Sequence, residues 1–500
     1  MALSPMDQQS ITPINTHNSQ QKKSLLIEKK LISASERFNQ FLLHSNLHAA
    51  KYIATAQTKG LKILFILLFI GCLTVHISFS VSAVKKYFNR QFIQNHNLIL
   101  DYDLKYPAIT ICFMPEPLRY DERFKQVFRK YLNLIDGENI TNEQALNSVE
   151  GFQYVYLTQG RFEELSELSF NLHDRLLSCS FNLVECNEGN FTHSYQDGNC
   201  YTFNSRTLDT QAYLTMQKAE ILVPEVLDSS IRSVREGTVD LGLSLRFYLH
   251  DHLTFPSNRN YPGILVSTHH HDEVSTSGEF QLVQPGQFYM IIFKKENYTS
   301  LGGSYERCTN EMLSDQAYLM SKRFGENDYA YDQYLCVRLC ELKFIYQACG
   351  CIPLLHFPIQ KLLINGELKS ISYCNINDSS INNIVKEQME IFRSTNYQQT
   401  CPHCLKKCSS SKYNLFVSSL QAPAHTHIDQ LVKEVEKLAA KTNITLPNDF
   451  YSNTLEHFRM NYVEMVITAR NNYLVSVNTQ QPAYTFPMLI ADLGGYFGSL

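Results

Sequence analysis

Fourteen cysteines and one run of histidines are the residues of this 500-residue chain best suited by type and spacing to chemistry. Cys336 and Cys340 stand four apart, so a helix carries both sulfurs on one face. Cys349-Gly350-Cys351 and Cys401-x-x-Cys404-x-x-x-Cys408 follow. Such C-x-x-C pairs serve as zinc ligands, or as disulfide partners where the compartment is oxidising. Asn-x-Ser/Thr acceptors at Asn139, Asn190, Asn297, Asn377 and Asn443 suit a glycosylating compartment and favour disulfides. All cysteines but Cys72 lie beyond residue 84, an odd number, so at least one lacks an intrachain partner. His269-His270-His271-Asp272-Glu273 offers metal ligands and groups that titrate near neutral pH, although a solvated loop is the plainer expectation. No Gly-rich phosphate loop, H-E-x-x-H or G-x-S-x-G pattern is present, so nothing favours an enzyme or a cofactor. A net charge of -4 gives no basic surplus, and nucleic acid is not an expected partner.

These residues need elements to hold them. From Ile63 to Val84 the text ILFILLFIGCLTVHISFSVSAV carries no Asp, Glu, Lys or Arg, and at about 1.5 Å per residue it crosses a bilayer of about 30 Å. It lies too deep and runs too long for a cleaved signal. The sequons and remaining cysteines all follow it, so residues 1–62 are expected in the cytosol, with 1–24 disordered, and residues 85–485 outside. Within the span His76 either lines a water path or, the plainer reading, faces another helix uncharged. Residues 85–112 and 236–295 read as strands of one sheet, and 113–178 as helices packed beside it. Ile428, Leu431, Val432, Val435, Leu438 and Ala439 recur at helical spacing. The stretch FPMLIADLGGYFGSL over 486–500 is apolar and Gly-rich, and reads either as the start of a second membrane helix or as a core strand.

Taken in order, several segments resemble the epithelial sodium channel/degenerin family over nearly the whole chain. They are YPAITIC at 106–112, Cys179 to Cys186 followed by GNCYTFN at 198–204, VQPGQFYMIIF at 283–293 and SYERC at 304–308. Cys336-x-x-x-Cys340 with CGC at 349–351, then Cys401, Cys404, Cys408 and ADLGGYFG at 491–498, complete the series. The resemblance implies an α+β membrane protein: two transmembrane helices flank a large disulfide-rich ectodomain with a palm sheet, helical finger (about 113–200) and thumb (about 308–408), knuckle and β-ball. It implies a trimeric, amiloride-sensitive, sodium-selective channel in the plasma membrane, whose partners are sodium ions, the lipid bilayer and two further subunits, identical or not. The alternative is a single-span, cysteine-rich receptor or adhesion ectodomain.

Carried over, the resemblance pairs Cys112 with Cys200, Cys179 with Cys186, Cys308 with Cys408, Cys336 with Cys404, Cys340 with Cys401, and Cys351 with Cys374. The family's partner for Cys349 is missing between Cys374 and Cys401, so Cys349 is expected free or bridged to another chain. The ion constriction is expected just past Leu500. Ala491 matches the position where a small side chain lets the gate close. Asp492 either gathers cations at the outer mouth or serves a helix N-terminus. Gly494, Gly495 and Gly498 are expected to permit close helix packing. His48-Ala49 stands where the family has a His-Gly gating pair, and Ala lacks the backbone freedom of Gly. Tyr87 and Tyr305 match an aromatic pair joining the thumb to the first membrane helix, with Gly302-Gly303 where prolines are usual.

Overall fold

A computed structural model describes residues 34–44, 48–101, 105–114, 118–135, 137–195, 199–205, 242–255, 263–273, 280–324, 329–353, 359, 361–375, 378–469 and 474–498. The tail expected over 1–24, and Asn377, lie outside them. The chain divides into two compact units, Met1–Phe92 with Pro482–Leu500, and Ile93–Gln481.

The larger unit is built on strands β1 (Phe92–Leu100), β2 (Ala108–Met114), β3 (Leu176–Phe181), β4 (Val184–Glu185), β5 (Phe191–Tyr195), β6 (Asn199–Phe203), β7 (Leu243–Tyr248), β8 (Gly263–His269), β9 (Gln281–Val283), β10 (Gln287–Thr299), β11 (Cys308–Thr309), β12 (Lys361–Ile364), β13 (Glu367–Ser370), β14 (Lys406–Lys407), β15 (Ser409–Gln421), β16 (Tyr462–Ala469) and β17 (Leu474–Pro482). They form two principal sheets rather than one. The first runs β1-β17-β10-β16-β7-β3-β4 with β15 on the other side of β10, and the second runs β5-β6-β2-β8-β9. β10 organises the first sheet because it is long and alternates, with Tyr289, Ile291 and Phe293 buried on one face. β15 pairs along its whole length, while β16 and β17 run parallel to its two halves on the opposite edge. One apolar core joins both sheets, drawing Ile109 and Ile111 from β2, Leu245 and Phe247 from β7, and Val463 and Met465 from β16.

Beside the sheets, Glu122–Leu132 and Asn142–Thr158 pack Phe124, Phe128 and Phe152 against Phe255. Phe124, Phe128 and Phe152 each lie between 5.2 and 5.6 Å from one another, the two contacts with Phe152 edge-on, the geometry aromatic rings favour. The helix Gln333–Cys349 starts at Asp332, whose side chain accepts from Leu335 N at 2.7 Å, and ends at Gly350 with φ 70°, a left-handed conformation that Gly adopts at no steric cost. It packs Leu335, Leu339 and Leu342 against Ile352 and Leu362 and turns Cys336 and Cys340 toward the return segment.

Disulfides join Cys112–Cys200 across directly opposed positions of β2 and β6, and also Cys179–Cys186, Cys308–Cys408, Cys336–Cys404, Cys340–Cys401 and Cys351–Cys374. Cys336, Cys404 and His403 bring their ligand atoms within 4.8 Å of one another, but both sulfurs are spent in the disulfide, which leaves no thiolate for zinc. Changing Cys336 and Cys404 together to Ala opens a closure of 68 residues. It is expected to cost about 2–4 kcal/mol, read as a lowered thermal midpoint of the purified protein and reduced delivery to the cell surface.

The histidine run is not a solvated loop. His269 and His271 are buried, and His269 Nε2 meets Thr110 Oγ1 at 2.8 Å. His270 pairs with Asp272, and Lys407 Nζ donates to Glu273 Oε1 at 2.6 Å. Burial by itself raises the Asp272 carboxyl, but the His270 hydrogen bond and the nearby positive charges outweigh it and hold the group at about 2. β2, β8 and β14 are thereby tied at one point.

Candidate functional site

The smaller unit contains the two apolar helices. Lys59–Phe88 extends beyond the uncharged run 63–84 at both ends: the Thr58 side chain accepts from Leu61 N at 3.3 Å, and Asn89 N donates to Lys85 O at 2.9 Å. Hydrogen bonding, not hydropathy, sets where a helix stops. Leu64, Leu67 and Leu68 are more than half exposed, an apolar surface suited to lipid rather than water. His76 and Ala83 are its buried residues. Among the described residues it is the one helix long and apolar enough to cross a membrane; Phe486–Gly498 is apolar but shorter, and packs against it.

Before it stand Ala34–His44 and His48–Thr55. Leu42, Ala50 and Ile53 form a small cluster with Phe65 and Phe69, and Lys62 Nζ donates to Asn39 Oδ1 at 3.1 Å. His48 and Ala49 are helical, a conformation open to Ala, and their side chains lie outside the described residues.

Tyr87 sits near the end of the long helix with the Arg90 guanidinium 4.7 Å above its ring, Phe88 edge-on at 5.3 Å and Phe486 at 6.1 Å. Tyr305 belongs to the larger unit, where its N–H donates to Gly302 O at 3.2 Å in the turn before Cys308. Asp492 is half-buried and accepts from the Tyr484 hydroxyl. Ala491 is exposed. A Cβ placed on Gly494 or Gly495 meets nothing within 4 Å, so within one chain a neighbour has room to approach both. The side chain position of Gly498 lies outside the described residues. Cys349 is unpaired and half-buried, and burial raises its thiol pKa.

Sequence reasoning did not single out Tyr106 as a link between the sheets. Its hydroxyl donates to Ile467 O at 2.7 Å and accepts from Leu243 N at 3.2 Å, and its ring meets Phe181, Phe203 and Phe293 edge-on. The segment YPAITIC carries the residue, but no local spacing reports a partner 361 positions away.

The family described as amiloride-sensitive sodium channel matches residues 41–498, from the N-terminal helices through Phe486–Gly498. A FMRFamide-activated amiloride-sensitive sodium channel of Cornu aspersum is 25% identical over 91% of this chain and 78% of its own length. The human epithelial sodium channel subunit alpha is 26% identical over 70% of this chain, which spans 46% of that protein. A bile acid-sensitive ion channel of Rattus norvegicus is 22% identical over 92% of this chain and 83% of its own length. All three are channels rather than enzymes, and one family match covers the apolar helices and the disulfide-bonded sheets alike. The chain therefore belongs to the amiloride-sensitive sodium channel family.

Proposed function

We propose that this chain is one subunit of a trimeric, amiloride-sensitive, sodium-selective cation channel of the plasma membrane. The observation that carries the reading is the continuous family match over 41–498, which includes both apolar helices. In it, residues 1–62 are cytosolic, 63–84 and the helix beginning at 486 span the bilayer, and 85–485 are extracellular, with finger about 113–200 and thumb about 308–408. Exposed apolar residues support assembly. Leu98, Ile99 and Leu100 on β1, and Phe416, Val417 and Leu420 on β15, lie on strands at two different edges of one sheet. Two unlike patches favour head-to-tail contacts that close into a ring.

In this reading Ala491 keeps the closed gate small, and Asp492, repeated around the axis, raises cation concentration at the mouth. Gly494, Gly495 and Gly498 face neighbouring helices, His48-Ala49 tunes opening from the cytosolic side, and Tyr87 with Tyr305 couples ectodomain to helix. Cys349 stays a free thiol. The test is sodium current from the full-length subunit in oocytes, with and without amiloride. Ala491→Phe is expected to give constitutive, amiloride-blocked current at rest; resting current equal to wild type counts against the assignment. If an epitope at the carboxyl end stains intact cells, the single-span receptor reading replaces this one.

Sugar occupancy tests the topology independently. Asn139, Asn190 and Asn443 are exposed and are expected to be glycosylated, whereas Asn297 lies within β10 between β15 and β17 and accepts from Ser411 Oγ at 2.8 Å. Changing the first three singly to Gln should each raise gel mobility, and Asn297→Gln should leave it unchanged.

A further inference from the structure

A cleft of about 310 Å³ opens between the helix Ile428–Thr442 and the wall formed by β3, β4 and the residues up to Glu188. That volume is at the low end of small-molecule sites. Its floor is apolar, with Leu177 from β3 and the buried Leu438 from the helix. The Cys179–Cys186 disulfide ties the β3–β4 hairpin and fixes that wall.

The rim carries both signs of charge. Lys437 and Lys441 are four apart on the helix and share its face, while Glu185 and Glu188 stand on the opposite wall. None of the four forms an ion pair among the described residues, although opposite charges border the same space. Glu434, one turn before Lys437 to Leu438 on the same helix, shows the contrast: Arg246 reaches across to it at 3.0 Å. Two cations on the helix and two carboxylates on the hairpin side, unpaired with one another among the described residues and bordering the same partly apolar cleft, fit an occupant charged at both ends.

We propose that this cleft binds a small zwitterionic amphiphile of the ω-amino acid class. Its anionic end meets Lys437 and Lys441, its cationic end meets Glu185 and Glu188, and its apolar middle lies on Leu177 and Leu438. A bound ligand links the helix to the hairpin. Binding in this cleft is separate from conduction and is read without current.

The experiment uses the full-length protein in lipid nanodiscs with 6-aminohexanoate as probe, and hexanoate and hexylamine as single-ended controls, followed by saturation-transfer NMR and calorimetry. Saturable binding of 6-aminohexanoate is expected, with each control weaker by about tenfold or more because each forfeits one set of charge-assisted contacts. The paired variants Lys437→Gln with Lys441→Gln, and Glu185→Gln with Glu188→Gln, should each weaken the probe by a similar factor. Exchanging charges at all four positions should restore it, since the probe can reverse. All four side chains are exposed, so an unchanged thermal midpoint verifies folding in each variant. Absence of saturable binding overturns the proposal. So does hexanoate binding as tightly as the probe with only the lysines mattering, or hexylamine doing so with only the glutamates mattering.

Discussion

Tyr106→Ala is expected to unfold the sheet unit or leave it barely stable. The side chain has no exposed surface and fills the space between the two sheets. Truncating a buried ring costs about 3–5 kcal/mol. The substitution also strands Ile467 C=O and Leu243 N–H in a dry interior, at about 1–3 kcal/mol each. Against a typical stability of about 5–15 kcal/mol the sum is decisive. Tyr106→Phe separates the contributions, because it keeps the ring and removes only the hydroxyl. Burial pushes the Tyr106 phenol far above its ordinary pKa, with the Leu243 hydrogen bond opposing, so the hydroxyl remains protonated and can donate and accept at once. Tyr106→Phe should therefore lower the denaturation midpoint by about 1–3 kcal/mol equivalent. A midpoint equal to wild type would show that the two hydrogen bonds contribute nothing net, and expression of Tyr106→Ala at wild-type stability would remove the residue from its bridging role.

Acid is the second large effect. His250 is fully buried, neither ring nitrogen has a hydrogen-bond partner, and Tyr248 and His252 lie 4.9 and 5.7 Å from its ring. Burial, followed by the positive neighbours His252, Arg175 and Arg119, drives its pKa down to about 3. In the unfolded chain it titrates near 6.5. Between these values the unfolded state takes up a proton that the folded state refuses, so stability falls as pH falls. The loss approaches about 1.4 kcal/mol per pH unit below 6.5 and levels off near 3. His252, also lowered chiefly by burial, acts in the same direction. Urea midpoints at several pH values between 7.5 and 4 measure the slope. His250→Asn suits the left-handed backbone there, φ 53°, and removes the titrating group. Its slope should be shallower by nearly one proton; an unchanged slope would exonerate His250.

Much of what gives this chain its character is local and was open to reading along the line of residues. A run from Ile63 to Val84 with no Asp, Glu, Lys, Arg or Pro reads as a helix of membrane length, because it is predominantly apolar and nothing in it breaks a helix. The periodicity of Leu431, Val435, Leu438 and Ala439 marked a buried stripe, and the helix Ile428–Thr442 buries those four. Cys336 and Cys340 announced a shared helix face by spacing alone. The ordered series of motifs identified the family, because independent short matches multiply in specificity.

Tertiary structure decided what depends on distant partners. Strand propensity does not encode which strands pair, so the text that read as one sheet divides between two, with β10 at the centre of the first. The histidine run looked hydrophilic, yet β8 carries it inward, where Thr110 and Lys407 from remote segments satisfy it. Nothing near Tyr106 or His250 in the chain reveals that one clasps two sheets and the other sits dry and unpaired. Residue types and their periods fix which surfaces want burial or lipid; only the closure of long loops determines which polar atoms meet, and with them the titrations, clefts and contacts on which function rests.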